Sequence, residues 1–322
     1  MSNFQVYKKT LIFSLVMFLI DLLAFAILAG TATAGYFIMN KSTDMALIGL
    51  AIGLIIGIVI CVLIGIFINN RIKAAQIGMM AKGVADNELP DNIYSAGLAE
   101  VKGRFAKITA FFMVTGAIKG IFRQLGRMLN SVGTAIGGQA GNTVTSVIDS
   151  AVQTLIGYLC DCCLGWVMYN KDKGTARAAC EGAVIFFKHG KTLIRNVGRI
   201  FGMGFLSFAI IGGAFFGISY LIFSQFPQMF ESLSKEIIEI STRNGGEISE
   251  IITNPTYLML FLCGIIGIVF WSMIHSVLIR PFILVGVLRN FMKSGLAEEV
   301  KEEDFKVLDS KSSKFAKLHS SI

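Results

Sequence analysis

Uncharged apolar runs alternate with shorter charged segments along this chain of 322 residues. Four runs, at about 10–30, 46–68, 200–223 and 256–279, stand out by their length. A helix needs roughly 20 predominantly apolar residues to cross the hydrocarbon core of a bilayer, and each of these runs meets that requirement. The pattern therefore predicts an all-α fold, a polytopic membrane helical bundle with four spans.

The region between the second and third runs permits two interpretations. Residues 71–107 carry charges of both signs and are predicted to form a cytoplasmic segment. Residues 128–169 are small and uncharged at first, and contain Asp149 and Asp161 later. They could form a hairpin of two further crossings, which would give six spans, or a segment that does not cross, which leaves four.

The distribution of basic residues predicts the orientation of the chain. Lys8 and Lys9 end the short tail 1–9, directly before the first span. The segments 71–107 and 171–199 contain six and seven Lys or Arg residues. Because basic residues next to spans favour the cytoplasmic side, the N-terminus and both segments are predicted to be cytoplasmic.

The two polar segments of the C-terminal half fit the same orientation. The segment 224–254 carries five glutamates against one lysine and one arginine, and is predicted to be an external loop. The charged tail 294–322 is then cytoplasmic, and its polar composition predicts that it is only partly ordered.

Two stretches combine basic and apolar side chains at helical spacing. Basic residues three or four positions apart lie on one face of a helix. Such helices typically lie on a membrane surface, with the basic face toward anionic lipid headgroups. The headgroup candidates are Lys119, Arg123 and Arg127 in the first stretch, and Lys188, Lys191, Arg195 and Arg199 in the second. For the first stretch, a solvated face of a cytosolic helix is the alternative.

Glycines recur at intervals of four in two of the predicted spans. Gly49, Gly53 and Gly57 form one face of the second span, and Gly213 and Gly217 lie on one face of the third. A face without side chains lets another backbone approach closely, so these are predicted helix-packing positions. The pattern does not distinguish packing inside the chain from a homodimer or from a pore lining.

Four ionisable residues in apolar surroundings are candidates for a transport pathway or its gate. They are Asp21, Asp149, Asp161 and His275. Ionisable groups in membrane segments are costly unless they are paired or hydrated, and they often mark ion or substrate paths. The alternative interpretation is structural, with Asp21 facing a partner helix and His275 anchoring a helix end at the interface.

Composition agrees with a membrane protein and narrows its partners. Hydrophobic residues make up 54% of the chain and charged residues 16%, and the mean hydropathy is +0.68. A soluble domain of this size would carry more charge. The net charge of +8 comes from basic residues beside apolar runs, which indicates anionic phospholipid headgroups rather than nucleic acid as the acidic partner.

Sequence motifs of enzymes and metal sites are scarce. The chain lacks a GxxxxGK[ST] loop, an HExxH helix motif and a GxSxG elbow, so we predict that it is not an enzyme and has no cofactor. Cys160, Cys162 and Cys163 point in different directions on a helix, and no second pair of ligands lies nearby. We therefore predict no metal site there, and expect buried thiols or acylated thiols at the membrane face.

The order of features in the C-terminal half resembles the choline transporter-like family. The run CDCC at 160–163 is followed by WVMYN, then by Cys180 and a basic amphipathic stretch that ends in Arg195-Asn196. A long span, an external loop, a last span and a charged tail follow. The resemblance covers about 118–322 and implies a polytopic transporter of choline or ethanolamine. It assigns no substrate-binding residue.

Two classes of function are compatible with these patterns. In the first, the protein is a transporter or channel-like permease for a small solute or lipid precursor, and the ionisable residues line one path. In the second, it transports nothing and is a membrane organiser that binds anionic lipid and recruits partner proteins. Acids that converge on one cavity would favour the transporter, and acids scattered at the interface would favour the organiser.

Overall fold

A computed structural model describes residues 1–39, 43–105, 114–124, 142–194, 197–243 and 253–322. The regular elements in these ranges are all helices. Four of the helices are long and apolar enough to cross a membrane: Asn3–Ile38, Met45–Ala85, Ile200–Phe223 and Pro255–Leu296. Each predicted span lies inside one of these helices, so the predicted all-α membrane bundle is confirmed.

The helices are numbered α1 to α14 in chain order. They are α1 (Asn3–Ile38), α2 (Thr43–Ile64), α3 (Asn70–Ala85), α4 (Ile93–Arg104), α5 (described over 114–124), α6 (Asn142–Tyr169), α7 (Thr175–Ile194), α8 (Val197–Ser207), α9 (Gly213–Phe223), α10 (Pro227–Arg243), α11 (Pro255–Ile274), α12 (Arg280–Leu296), α13 (Glu302–Lys311) and α14 (Ser313–His319). Short π-helical turns cover Gly65–Asn69, Phe208–Gly212 and His275–Ile279. The chain forms two compact units, residues 1–198 with 281–322, and residues 199–280.

In the first unit, α1 and α2 pack as an antiparallel pair. Gly49, Gly53 and Gly57 lie at this contact, and a Cβ atom on any of them would clash with atoms of α1. At the same seam, the Cys61 thiol donates to the carbonyl oxygen of Ala24 at 3.2 Å. The absence of side chains on this face of α2 therefore allows the close approach of the two helices.

The helix that begins with α2 has exposed apolar side chains in its first part and buried side chains in its second part. Apolar side chains of α2 and of the π-helical turn after it are exposed, 62% for Ile55 and 49% for Phe67, as expected for a surface that faces lipid. From Ile72 onward the same continuous helix is almost entirely buried against other helices. The spanning helices thus continue out of the membrane and into a packed domain.

We call this packed part of the first unit the membrane-proximal domain. It consists of residues 3–17 of α1 together with α3 to α7 and α12 to α14. At its centre, the buried amide of Gln76 donates to the hydroxyl of Ser14 at 2.7 Å and to the carbonyl of Thr10 at 3.3 Å. These hydrogen bonds satisfy a buried polar side chain and tie α3 to the base of α1.

The predicted hairpin at 128–169 lies partly outside the described residues, since 125–141 are not described. Its described part, α6, is not one of the four helices apolar enough to cross a membrane. The second half of α6 instead lies in the membrane-proximal domain, where Tyr158 and Trp166 are buried. Gly165 contacts Leu288 of α12 on one of its faces. The described residues therefore contain four spans.

The C-terminal tail is more ordered than its composition predicts. Helices α13 and α14 dock on α7, and Phe305, Leu308 and Phe315 are buried in one cluster with Cys180 and Val184. Three large apolar side chains in an otherwise polar segment provide the free energy of docking. The expectation of a partly ordered tail is wrong for the described residues 302–319.

The second unit is built on an antiparallel pair, with α8 and α9 packed against α11. The indole N–H of Trp271 donates to the hydroxyl of Ser207 at 3.1 Å, and the rings of Phe215 and Phe270 stack with centroids 4.5 Å apart. A Cβ atom on Gly267 would lie 2.8 Å from the carbonyl oxygen of Gly212. Helix α10 packs across this pair beside α11.

Candidate functional site

The membrane-proximal domain contains a cavity of about 140 Å³ where α3, α5 and α6 meet. Its polar lining comes from Asn70 and Lys73 of α3, Thr115 and Lys119 of α5, and Asp161 of α6. The remaining wall is apolar. The site therefore collects two ammonium groups, one carboxylate, one amide and one hydroxyl from three separate helices.

An ion pair orients one of the two lysines. The Lys73 ammonium lies 2.8 Å from a carboxylate oxygen of Asp161, whose side chain is only 8% exposed. Lys119 forms no carboxylate ion pair within the part of the chain that the structure describes. With two lysines and one aspartate, the cavity carries a formal charge of +1 and favours an anionic group.

The position of the cavity along α2 and α3 places it at the boundary of the lipid-facing surface. Phe67 and Ile68 are 49% and 45% exposed, and the next turn of the helix carries Asn70 and Lys73. Ile72 is already buried in the membrane-proximal domain. Phosphate groups of phospholipids lie just outside the hydrocarbon core, so a bilayer around the exposed apolar residues up to Ile68 would place them at the level of these side chains.

Asp21 of α1 lies beside Asn69, the last residue of the π-helical turn that follows α2. The amide of Asn69 donates to its carboxylate at 2.6 Å. One face of residues 3–17 of α1 is buried in the membrane-proximal domain, whereas Ile12 and Leu15 are 42% and 46% exposed. Asp21 does not line the cavity that contains Asp161. The two acids thus have separate partners.

The other two pathway candidates are His275 and Asp149. His275 belongs to the second unit, where its ring lies 5.2 Å from that of Trp271. Asp149 falls in α6, but its side chain lies outside the described residues. Within the first unit, the described acids Asp21 and Asp161 do not line a common cavity.

The first basic stretch, on α5, does not present its apolar face to a membrane. Ile118, Ile121 and Phe122 are buried against protein, which corrects the prediction of an interfacial helix. Lys119 lines the cavity, and Arg123 is exposed. Arg127 lies outside the described residues.

The second basic stretch, on α7, is likewise packed against protein. Val184, Ile185 and Phe186 are buried. Lys188 forms ion pairs with Glu298 at 2.6 Å and Asp304 at 2.9 Å, so its ammonium is occupied by carboxylates rather than open to headgroups. These partners raise the pKa of Lys188 and lower the pKa values of Glu298 and Asp304. Arg195, and the side chains of Lys191 and Arg199, lie outside the described residues.

The predicted packing glycines of the third span are open. A Cβ atom on Gly213 or Gly217 would meet no atom of the described chain within 4 Å. The close contact of this span lies instead at Gly212, which faces Gly267. Within the described chain the close contact is therefore at Gly212, and packing of Gly213 and Gly217 in a homo-oligomer stays a prediction.

The cysteine cluster belongs to the core of the membrane-proximal domain. Cys160, Cys162, Cys163 and Cys180 are buried free thiols. Burial raises the pKa of Cys162 and Cys163 well above the usual range, and raises that of Cys180 to about 12. Neutral buried thiols are poor metal ligands and poor acylation sites, so the structure favours the packing role among the predicted alternatives. Within the described residues, no group of three His, Cys, Asp or Glu side chains could hold a metal ion.

Sequence analysis missed Asn70, Lys73 and Thr115 as members of the site. There, Lys73 was counted only as one of the six basic residues of the segment 71–107. Lys73 follows Asn70 by three positions, so both lie on one face of a helix. This spacing is the local feature of the sequence that could have indicated a shared site. The pairing with Asp161 depends on the packing of α3 against α6 and has no signature in the sequence.

Fold and site together define an integral membrane protein whose spanning helices carry a packed helical domain with a cationic cavity at the lipid boundary. Protein-family models, characterised proteins and solved structures give no match to this chain. The resemblance to the choline transporter-like family therefore stays a prediction.

Proposed function

We propose that this protein is a membrane organiser that transports nothing and that binds the phosphate of anionic phospholipids in the cavity between α3, α5 and α6. Bound lipid would fix the membrane-proximal domain against the bilayer surface. The outer faces of that domain would then be presented to partner proteins at a defined height above the membrane.

The observation that carries the proposal is the position of two lysines at the end of a lipid-facing helix. Lys73 follows the exposed Phe67 and Ile68 by little more than one turn. Lys119 reaches the same cavity from α5. A phospholipid in the surrounding leaflet could place its phosphate between the two ammonium groups without leaving the membrane.

The size and charge of the cavity favour a headgroup over a complete solute. Pockets for small-molecule ligands usually enclose about 300–1,000 Å³, more than the 140 Å³ found here. The space accommodates a phosphate group while the acyl chains remain in the bilayer. Lysine supplies a compact point charge for this purpose, and Asp161 holds Lys73 in position.

The placement of the acids supports the organiser over the predicted transporter. Asp21 is held by Asn69, and Asp161 by Lys73, and they do not line a common cavity. A permease for a choline-like solute would need ionisable groups along one path.

The homo-oligomer, and the cytoplasmic location of both termini, stay predictions.

The proposal is tested by the lipid dependence of stability. We expect anionic phosphatidylglycerol to raise the melting temperature of the purified protein in detergent more than phosphatidylcholine does. The substitution Lys119→Gln removes one of two cationic contacts, worth about 1 kcal/mol, and should weaken phosphatidylglycerol binding about fivefold. Thermal melts at a series of lipid concentrations give both affinities.

The matched control is Lys102→Gln, because Lys102 is an exposed lysine of α4 in the same domain that does not line the cavity. It should bind phosphatidylglycerol as the wild type does. Equal lipid binding by all three proteins would contradict the proposed site. Solute uptake into proteoliposomes above that of protein-free vesicles would contradict the organiser itself.

A further inference from the structure

Helix α10 in the second unit is attached at two points to the ends of spanning helices. It begins at Pro227, four residues after α9 ends at Phe223. Halfway along α10, the Ser234 hydroxyl donates to the carbonyl of Thr253. Asn254 then caps α11, which begins at Pro255.

These attachments fix the direction of α10. Phe223 and Pro255 are ends of two antiparallel spans, so they lie at the same boundary of the bilayer. The start of α10 is held near Phe223, and its middle is held beside Thr253, next to Pro255. The helix therefore runs along this boundary of the bilayer. It cannot rise away from the membrane without breaking the contact of Ser234 with Thr253.

The side chains of α10 and its leading residue are segregated by chemistry. Phe230 turns inward and is 2% exposed, and its ring lies 5.3 Å from that of Phe223. Phe226, Met229 and Leu233 form an open apolar edge at spacings of three and four. The opposite face carries the charged side chains of Glu231, Lys235 and Glu239, and the exposed Glu236 lies beside the apolar edge, seven positions after Met229.

The open apolar edge continues the lipid-facing surface of α9. Leu221 and Ile222, at the end of that span, are 66% and 53% exposed, and the exposed Phe226 follows after one turn of chain. Side chains on both sides of this turn are large and apolar. Exposed apolar side chains of the span are therefore followed by exposed apolar side chains on α10, with the exposed Ser224 and Gln225 between them in the chain.

From this continuity, we infer that α10 lies in the interfacial layer of the bilayer, with Phe226, Met229 and Leu233 among the acyl chains. Glu231, Glu236 and Glu239 against Lys235 give these exposed side chains of α10 a formal charge of −2. Attraction to anionic headgroups therefore cannot hold it, and burial of apolar area does. This contact differs from the lipid site in the first unit, because it does not depend on the charge of the lipid.

Spin labels on the full chain in phosphatidylcholine bilayers test the inference. The parent carries Cys61→Ser, because Cys61 is the one described native cysteine that is not buried. Single substitutions Met229→Cys and Leu233→Cys place a nitroxide on the apolar edge, and Glu231→Cys and Lys235→Cys are matched controls on the charged face. Collision rates with oxygen, which partitions into lipid, and with a water-soluble nickel chelate report the surroundings of each label.

We expect oxygen collisions to dominate at 229 and 233 and nickel collisions to dominate at 231 and 235. The same contrast should persist in bilayers that contain phosphatidylglycerol. Dominant nickel collisions at all four positions would place α10 in water and overturn the inference. Protection of 229 and 233 from both reagents would overturn it too, since a second copy or another protein would then cover the edge.

Discussion

At the scale of single residues, the two lysines of the cavity differ in how they are held. Lys73 is paired with Asp161 at 2.8 Å, whereas Lys119 forms no carboxylate pair among the described residues. An anion that enters the cavity must therefore compete with Asp161 for Lys73. Asp161 positions one cation and also limits the positive charge of the site to +1.

Because Asp161 both holds Lys73 and reduces the positive charge of the cavity, its removal should make the protein less stable and its binding of phosphatidylglycerol tighter. Asp161→Asn removes the partner of a half-buried lysine and should lower the free energy of unfolding by about 1 kcal/mol. It also raises the formal charge of the cavity to +2 and should tighten phosphatidylglycerol binding about fivefold. Chemical unfolding without added lipid, and lipid titration, measure the two effects separately.

Asp91→Asn is the control, because Asp91 is an exposed acid of the same domain. It should change neither quantity appreciably. If Asp161→Asn weakened both stability and lipid binding, Asp161 would serve only to hold the fold, and the electrostatic account of the cavity would fail.

Single residues also show what a sequence can predict about packing. The spacing of Gly49, Gly53 and Gly57 indicated a close contact, and these residues do lie against α1. The same spacing at Gly213 and Gly217 indicated a contact that the described chain does not make there. Helical periodicity defines a face, but the direction in which that face points depends on the partner helix.

At the scale of elements, the C-terminal helices α13 and α14 are held on α7 by both apolar and charged contacts. Phe305 and Phe315 fill the apolar cluster, and Asp304 bonds to Lys188 at 2.9 Å. Asp304 also accepts the backbone N–H of Lys301 at 3.0 Å, which stabilises the first turn of α13.

The carboxylates at this contact predict a pH dependence. The bonds from Lys188 lower the pKa of Glu298, and the bonds from the Lys301 backbone and Lys188 lower that of Asp304. A lowered acid pKa adds stability above the ordinary values of 4.5 and 3.8, and this stability is lost as the pH falls through the lowered values. Docking of α13 should therefore hold at neutral pH and weaken below about pH 4.5.

Asp304→Asn tests this contact at neutral pH. Loss of the charge at the first turn and at Lys188 should cost about 1 kcal/mol, which corresponds to about fivefold faster hydrogen exchange of the α13 amides. Glu303→Gln is the control at the adjacent exposed position. Equal exchange in the two variants would show that the apolar cluster alone holds the tail.

Elements differ in how far the sequence predicts them. The span at 46–68 is predictable because lipid requires an uninterrupted apolar run, which is a local property. The docked tail is not, because three apolar side chains in a polar segment do not indicate which surface covers them. The basic stripe of α7 indicated a membrane surface, but its apolar face is buried in protein. An amphipathic helix has the same pattern on either surface.

At the scale of the whole molecule, helices that span the membrane also build the domain beside it. In the first unit, α1 and the continuous helix from α2 to α3 each have a lipid-facing part and a part buried in the membrane-proximal domain. Sequence analysis ended the spans where charge began, and so treated residues after 71 as a separate segment. The cavity lies at this change of surroundings, where no sequence motif marks it.

The most direct test of the account is covalent capture of a lipid headgroup by the wild-type protein in bilayers. A phosphatidylglycerol that carries a photoreactive group on its headgroup should label peptides containing 70–73, 115–119 or 160–164, and Lys119→Gln should reduce that labelling about fivefold. Labelling of spanning segments should be unchanged and serves as the internal reference. If headgroup labelling avoids these three segments, or is equal in the wild type and Lys119→Gln, the cavity does not bind anionic lipid and the account is contradicted.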